Sequence, residues 1–353
     1  MIKSLSNIFG RKKKIVVLMG GPSSEHEVSL WTGKMVVKHL DKRAYQVEPI
    51  IITKDNEWPI KPKDLDCDVA FIAMHGEYGE DGRIQSLLGK HNIPYTGSGQ
   101  KASKLAMDKA LASKALEKVG LTSPSFVTFK KGNMKVSWNN LLKLGLPVVV
   151  KPVDLGSSVG TTIVRTIGKL APAINDSLQY SDKVMVQKYI KGREFTCSVI
   201  EQGGKTSALP PTEIIPKKQK FFDFKAKYTP GASREITPPN LPKELIQLIQ
   251  DKAVLAHKSL GCSSYSRVDF LMDKDNRVYF LEVNTLPGLT KTSLLPQAAK
   301  KAGIDFPKLL DIIIGNVRIQ KYIGNQCEKR KVYSKTIKLS NNVVSDLSPF
   351  INL

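Results

Sequence analysis

The sequence predicts an α/β fold, α+β in its later part, opening with a doubly wound domain. Three observations carry that prediction. A strand, a glycine turn and an amphipathic helix follow one another over residues 15–40. Apolar strand runs alternate with helical ones beyond them, and a two-stranded ribbon over residues 266–285 sets acids among apolar residues. With 353 residues, 41% of them apolar and 24% charged, the chain has material for two or three domains with cores of their own, which excludes a stapled miniprotein or a disordered chain.

Residues 15–19 are an unbroken apolar run, as a strand buried on both faces requires. Gly20-Gly21-Pro22 turns the chain, and residues 24–40 read as a helix opened by Ser24 and Glu27 at capping-box spacing. Strands over 46–53 and 68–74 continue the alternation. The second runs into His75-Gly76-Glu77-Tyr78-Gly79-Glu80-Asp81-Gly82, at the kind of strand end where doubly wound sheets collect ligands. The small residues of Tyr95-Thr96-Gly97-Ser98-Gly99 place a domain boundary near 98–104. One helix is expected over 103–119, stopped by Gly120, with Pro124 beyond it. Strands over 147–151 and 161–165 flank Gly156-Ser157-Ser158-Val159-Gly160 and read as a flap. The proline-rich stretch 210–240, around a basic-aromatic segment at 217–228, predicts a long mobile loop rather than a packed element.

The formal charge of +22 would suit an anionic partner, but its distribution weakens that reading. Residues 1–14 hold five bases and no acid, and residues 316–353 hold seven bases against two acids, so nearly half of the excess sits in two basic extensions. No basic-aromatic repeat or DNA-binding motif accompanies it, and no nucleic acid is expected as partner. Cys67, Cys197, Cys262 and Cys327 lie far apart with no CxxC pair, as reduced structural thiols of a cytosolic protein do. Arg11-Lys12-Lys13-Lys14 before the first strand imitates a secretory signal, but the apolar run is too short for one. No stretch approaches the roughly 20 apolar residues of a membrane span.

The ribbon is the most informative segment. If Asp275-Asn276 form its turn, Lys274 faces Arg277, Asp269 lies opposite Glu282, Arg267 opposite Asn284 and Leu271 opposite Phe280 on one face. Val268, Phe270, Met272, Tyr279, Leu281 and Val283 then line the other. Two carboxylates with Cβ atoms roughly 5 Å apart repel each other unless something compensates. Arg267 can neutralise one. Asp269, Glu282 and Asn284 also form an oxygen-only donor set suited to a hard divalent ion; an ordinary hairpin with a charged face is the other reading. An ion held by so few protein oxygens keeps positions for phosphate, and the glycine-serine flap with Lys151 and Lys109 could receive it. The flap is not a Walker A loop, since no Gly-Lys-Ser/Thr follows.

Several runs, in collinear order over about residues 15–315, closely resemble the D-alanine:D-alanine ligase family of the ATP-grasp superfamily. They are Gly20-Gly21-Pro22-Ser23-Ser24-Glu25-His26-Glu27-Val28-Ser29, Met74-His75-Gly76 with Gly79-Glu80-Asp81-Gly82, Pro94-Tyr95-Thr96-Gly97-Ser98, Met107-Asp108-Lys109, Lys151-Pro152 with the flap, and Glu282-Val283-Asn284-Thr285 with Pro287-Gly288-Leu289-Thr290. The resemblance implies three domains: a Rossmann-like domain at 15–100 and ATP-grasp subdomains at 101–190 and 191–316, with a mobile loop at 212–238. It implies a cytoplasmic enzyme, commonly a homodimer, that uses ATP and Mg²⁺ or Mn²⁺, two ions in all, to join two D-alanines through an acyl phosphate.

The resemblance also implies residue roles. Lys109, Lys151 and Lys227 would hold phosphates, and Asp269, Glu282 and Asn284 the metal. Gln187, at a place where many members carry glutamate, would join Lys188, Tyr189 and Ile190 at the adenine, with Glu194 at the ribose. Arg267 and the Gly288 N–H would stabilise the oxyanion. Glu25 would pair with the first D-alanine's ammonium beside His75, while Ser293 and the Leu294 N–H would hold the second carboxylate. Glu25, Ser157 and Tyr228 would close the loop over the site. Relatives that accept D-lactate carry histidine at the place of Tyr228, so a phenol there favours an amine acceptor over D-lactate, with D-serine a further candidate.

Overall fold

The computed structural model describes residues 11–132, 138–156, 159–216 and 233–317. Ser157, Lys227, Tyr228, Cys327, the core of the expected mobile loop and nearly all of both basic extensions lie outside the described residues.

The first sheet has the order β2–β1–β3, all parallel, from β1 (Lys13–Gly20), β2 (Tyr45–Ile52) and β3 (Val69–Ile72). Gly20 and Gly21 leave β1 with φ of +84° and +91°, and a Cβ on Gly20 would lie 2.4 Å from the Ile52 carbonyl oxygen, so glycine is required there. Helix α1 (His26–His39) starts two residues later than expected, and no side chain caps it. Instead the Glu25 N–H donates to Ser23 Oγ (3.0 Å) and the Ser29 hydroxyl to Glu25 O (3.1 Å). Ser24 is exposed and Glu25 buried, so this turn delivers a carboxylate inward instead of building a capping box. Helix α2 (Arg83–Lys90) follows the loop after β3.

The expected helix over 103–119 is two helices, α3 (Gln100–Met107) and α4 (Lys109–Glu117). Asp108 leaves helical backbone at the junction and accepts from the Leu111 N–H (2.8 Å), an N-cap that restarts the helix and sets Lys109 at its first position. The second sheet is antiparallel, in the order β4 (Phe126–Lys130), β7 (Lys183–Lys188), β5 (Val148–Pro152), β6 (Thr162–Val164). Helices α5 (Trp138–Leu144) and α6 (Leu170–Ser177) close a small core over it.

The third sheet is also antiparallel. Strand β8 (Arg193–Gln202) pairs with β9 (Lys205–Ala208) and β10 (Thr212–Pro216), which pairs with β11 (Ser233–Ile236); on the other side of β8 lie β12 (Tyr265–Met272) and then β13 (Val278–Asn284). The two ends of the stretch read as a loop are thus paired strands, Glu213 opposite Ile236. Pro216 ends its strand and Pro238 follows the next, where proline costs no ladder hydrogen bond. Helix α7 (Lys243–Ser259) buries Ile249, Ala253 and Ala256 against this sheet, in one core with Ala106, Ala112 and Leu116 of α3 and α4. Helices α8 (Leu294–Lys301) and α9 (Phe306–Gly315) return to the first sheet, whose core takes in Leu295, Leu309 and Ile313.

The register of β12 and β13 follows the expectation at one end only. Arg267 lies opposite Asn284 and Asp269 opposite Glu282, but a bulge then shifts the ladder so that Phe270 faces Phe280 and Leu271 faces Tyr279. The turn is longer than two residues: Asp273 Oδ1 accepts from the N–H groups of Asp275 and Arg277, and Asn276 takes the positive φ. The extra residue sends Phe280 into the core and brings Leu281 to the same cleft as Glu282, the reverse of the expected faces.

Candidate active site

Two cavities meet at β12 and β13. The outer cleft, about 380 Å³, lies between the second and third sheets and falls within the range of small-molecule sites. It takes Lys151 from β5, Gln187 and Lys188 from β7, Tyr189 and Ile190 just after it, Glu194 from β8, and Leu271 and Leu281 from the ribbon. The inner chamber, about 120 Å³, gathers residues from distant segments: Glu25 and His75 from the first sheet's loops, Arg267, Asn284, Gly288 and Ser293. Lys109, Ile214, Asp269 and Glu282 line both.

That shared wall is built from opposed charges. Arg267 donates through Nε and Nη2 to the two oxygens of Asp269 (2.9 and 2.8 Å), and the Thr196 hydroxyl donates to Asp269 Oδ1 at 2.6 Å. Lys109 Nζ stands 3.2 Å from Glu282 Oε2 and donates to Leu155 O at 2.6 Å. Asn284 Oδ1 accepts from the Leu286 N–H (2.9 Å). Among the described residues no three His, Cys, Asp or Glu side chains gather as metal ligands. The available set is two carboxylates and an amide on one wall, oxygen throughout, and its chemistry fits a hard divalent ion that keeps phosphate oxygens as further ligands. The carboxylates are neutralised by Arg267 and Lys109, so they stand side by side without unbalanced charge.

In the outer cleft, Gln187 is buried and its amide nitrogen donates to Pro124 O (3.3 Å). Next to Glu194, Arg193 forks onto Glu213 (2.7 and 2.8 Å), and that hydrogen bond pushes the guanidinium pKa further up. In the inner chamber His75 is held at both ring nitrogens. Nδ1 lies 3.0 Å from Leu286 O and so carries a proton, while Nε2 lies 2.8 Å from Thr32 Oγ1. Gly288 has no side chain because a Cβ would come within 2.8 Å of Ser293 Oγ, which itself accepts from the Thr290 N–H. Ser293 is the N-cap of α8, so Leu294 presents an N-terminal N–H to the chamber.

Sequence reasoning missed Thr196, Leu281, Glu213 and Glu235, all of which touch these cavities or their wall. The signal for Thr196 is its register: it pairs with Asp269 across β8 and β12, a pairing that needs the sheet order.

A family model described as D-ala D-ala ligase C-terminus matches residues 115–315, and one described as D-ala D-ala ligase N-terminus matches residues 14–66 and 60–98. The chain belongs to the D-alanine–D-alanine ligase family. The D-alanine–D-alanine ligase of Geotalea uraniireducens is 44% identical to it over 310 residues, covering 86% of this chain and 95% of that protein. The Bacillus anthracis D-alanine–D-alanine ligase complexed with ATP is 38% identical, with a TM-score of 0.72 over 86% of this chain and 96% of that one. The VanG D-Ala:D-Ser ligase of Enterococcus faecalis is 31% identical, with a TM-score of 0.77 over 86% and 99%. This family member has the ATP-grasp fold and is an ADP-forming carboxylate–amine ligase.

Proposed function

We propose that the outer cleft holds ATP, the inner chamber holds two D-alanines, and phosphoryl transfer takes place at the wall between them. The enzyme joins the two D-alanines into D-alanyl-D-alanine for peptidoglycan synthesis. The observation that carries the residue-level reading is that Lys109, Asp269 and Glu282 line both cavities at once.

Lys151, Lys109 and Lys227 hold the phosphates. Gln187, with its nitrogen on Pro124, turns its amide oxygen to the adenine amino group beside Lys188, Tyr189 and Ile190, and Glu194 takes the ribose. Asp269, Glu282 and Asn284 would hold Mg²⁺ or Mn²⁺, which supplies charge neutralisation at the phosphoryl oxygens. Glu25 pairs with the ammonium of the first D-alanine, next to His75. One carboxylate oxygen of that D-alanine attacks the γ-phosphorus, the bond to the ADP oxygen breaks, and an acyl phosphate forms. The second D-alanine, its carboxylate on Ser293 and the Leu294 N–H, attacks the acyl carbon through its amine. Arg267, oriented by Asp269, and the Gly288 N–H stabilise the oxyanion; phosphate leaves, and the amine loses its proton as the amide forms. Ser157 and Tyr228 close the site with Glu25. On this reading residues 15–100, 101–190 and 191–316 are the domains of a cytoplasmic homodimer, with α3 and α4 packed on the third.

The test is ADP release in the presence of ATP and Mg²⁺, with D-alanine alone and with D-serine or D-lactate added as acceptor. D-Alanine alone should drive release and give the dipeptide. Release that needs D-lactate would replace this reading with a depsipeptide ligase.

A further inference from the structure

Gln297 lies on α8 one turn beyond Ser293, and its amide nitrogen donates both to Glu235 Oε2 (2.8 Å) and to Thr292 O (2.9 Å). Glu235 lines the inner chamber from β11, the strand that ends the stretch 217–232. Its other oxygen accepts from Ser233 Oγ at 3.4 Å. One side chain thus fastens three parts: an edge strand, the turn Thr290–Ser293 and the first turns of the helix whose N-terminus faces the chamber. The turn has contacts of its own, Thr290 Oγ1 to Ser293 Oγ at 2.8 Å and to Thr292 Oγ1 at 3.3 Å, and Thr292 directly precedes Ser293, so the orientation of Ser293 depends on where Thr292 is held.

We infer that Gln297, through Glu235, is a positioning residue for the second amino acid and acts on acceptor binding without touching the donor site. The inference rests on the reading of Ser293 and the Leu294 N–H as the acceptor-carboxylate site. Glu25 and His75, assigned to the first D-alanine, belong to other segments, the turn before α1 and the loop after β3. A lost tether should therefore separate the two D-alanine constants. The charge pattern is also specific: an amide donates to a carboxylate, so a second carboxylate at 297 would repel Glu235, and an amide at 235 would restore the pairing.

The experiment measures initial rates against D-alanine concentration at saturating ATP, resolving the two D-alanine constants, for Gln297→Leu, Gln297→Glu, Gln297→Glu with Glu235→Gln, and Ser293→Ala. Gln297→Leu should raise the second constant about threefold to tenfold, the size of one net hydrogen bond, and leave the first unchanged. Gln297→Glu should raise it further, and adding Glu235→Gln should bring it back to or below the Gln297→Leu value. A second constant unmoved in both Gln297 variants, or no recovery in the double variant, overturns the inference while Ser293→Ala still raises that constant. If Ser293→Ala leaves it unmoved too, the acceptor-site reading fails and takes the inference with it.

Discussion

The two cavities share a wall but differ in how many sheets enclose them. The outer cleft is lined by short runs of neighbouring residues, 187–190, 192–194 and 213–216, each set along or just beyond a strand. The inner chamber has runs of its own, 282–284 and 292–295, but adds Glu25 and His75 from the first sheet's loops and Gly156 from beyond β5, so it closes only when three sheets are assembled. A nucleotide is long and is read along strand edges, whereas two small zwitterions need a few groups converging from all sides. The difference teaches that the cleft depends on the placement of two sheets and the chamber on the placement of all three.

The substitution that tests the comparison most severely lies where the cavities meet. Glu282→Gln should lower turnover by about 100-fold or more, because it removes a charge facing both sides and leaves Lys109 without its carboxylate. A steady-state assay resolving the ATP and D-alanine constants checks this. An effect confined to one substrate's constant, with kcat intact, would show that the wall belongs to one cavity only. A smaller effect is expected at Thr196→Val, which keeps the side-chain shape and deletes the hydroxyl on Asp269. The Mg²⁺ concentration for half-maximal rate should rise about tenfold or more, the usual cost of losing a partner that orients a metal ligand, with the D-alanine constants nearly unchanged. Thr196→Ser should restore it; if it does not, orientation of Asp269 through this hydroxyl is wrong.

The contrast between cavities also explains what could be read from the chain. The strand–glycine–helix opening and the ribbon with Asp269 opposite Glu282 follow from local pattern, since strand alternation and turn chemistry act over a few residues. The bulge that turns Leu281 toward the cleft was not legible, because an added residue is chosen by packing of Phe280 in the core rather than by the ribbon's own sequence. The break at Asp108 was legible in principle: an aspartate inside a helical pattern is an N-cap signal, but it competes with apolar residues that continue on either side. Glu25 and Ser293 could be singled out only through family resemblance, since neither turn advertises that it faces the other. Glu235 and Gln297 had no signal at all, as their bond joins a strand and a helix 62 positions apart in the chain.

Both cavities stand on one frame, and the smallest expected effect separates the frame from the sites. His257 on α7 is fully buried, with Nδ1 2.7 Å from Ser266 Oγ and Nε2 3.5 Å from Glu201 Oε1, and Ser266 directly precedes Arg267. Burial holds the imidazole pKa below its ordinary value of 6.5, Lys258 pushes it the same way, and Glu201 opposes both. The folded state therefore takes up a proton at lower pH than the unfolded chain does. Stability from this group is fully present above about pH 6.5 and is lost as pH falls from there toward the depressed folded value. Thermal melting of the wild type should drop between pH 7 and pH 5, and His257→Gln, which can still meet Ser266 but does not titrate, should show a shallower drop. Equal slopes for the two proteins would remove His257 from the frame's acid response. A slope that flattens, with the ratio of the ATP and D-alanine constants unchanged at pH 7.5, would show that this histidine supports the two cavities as one body and favours neither.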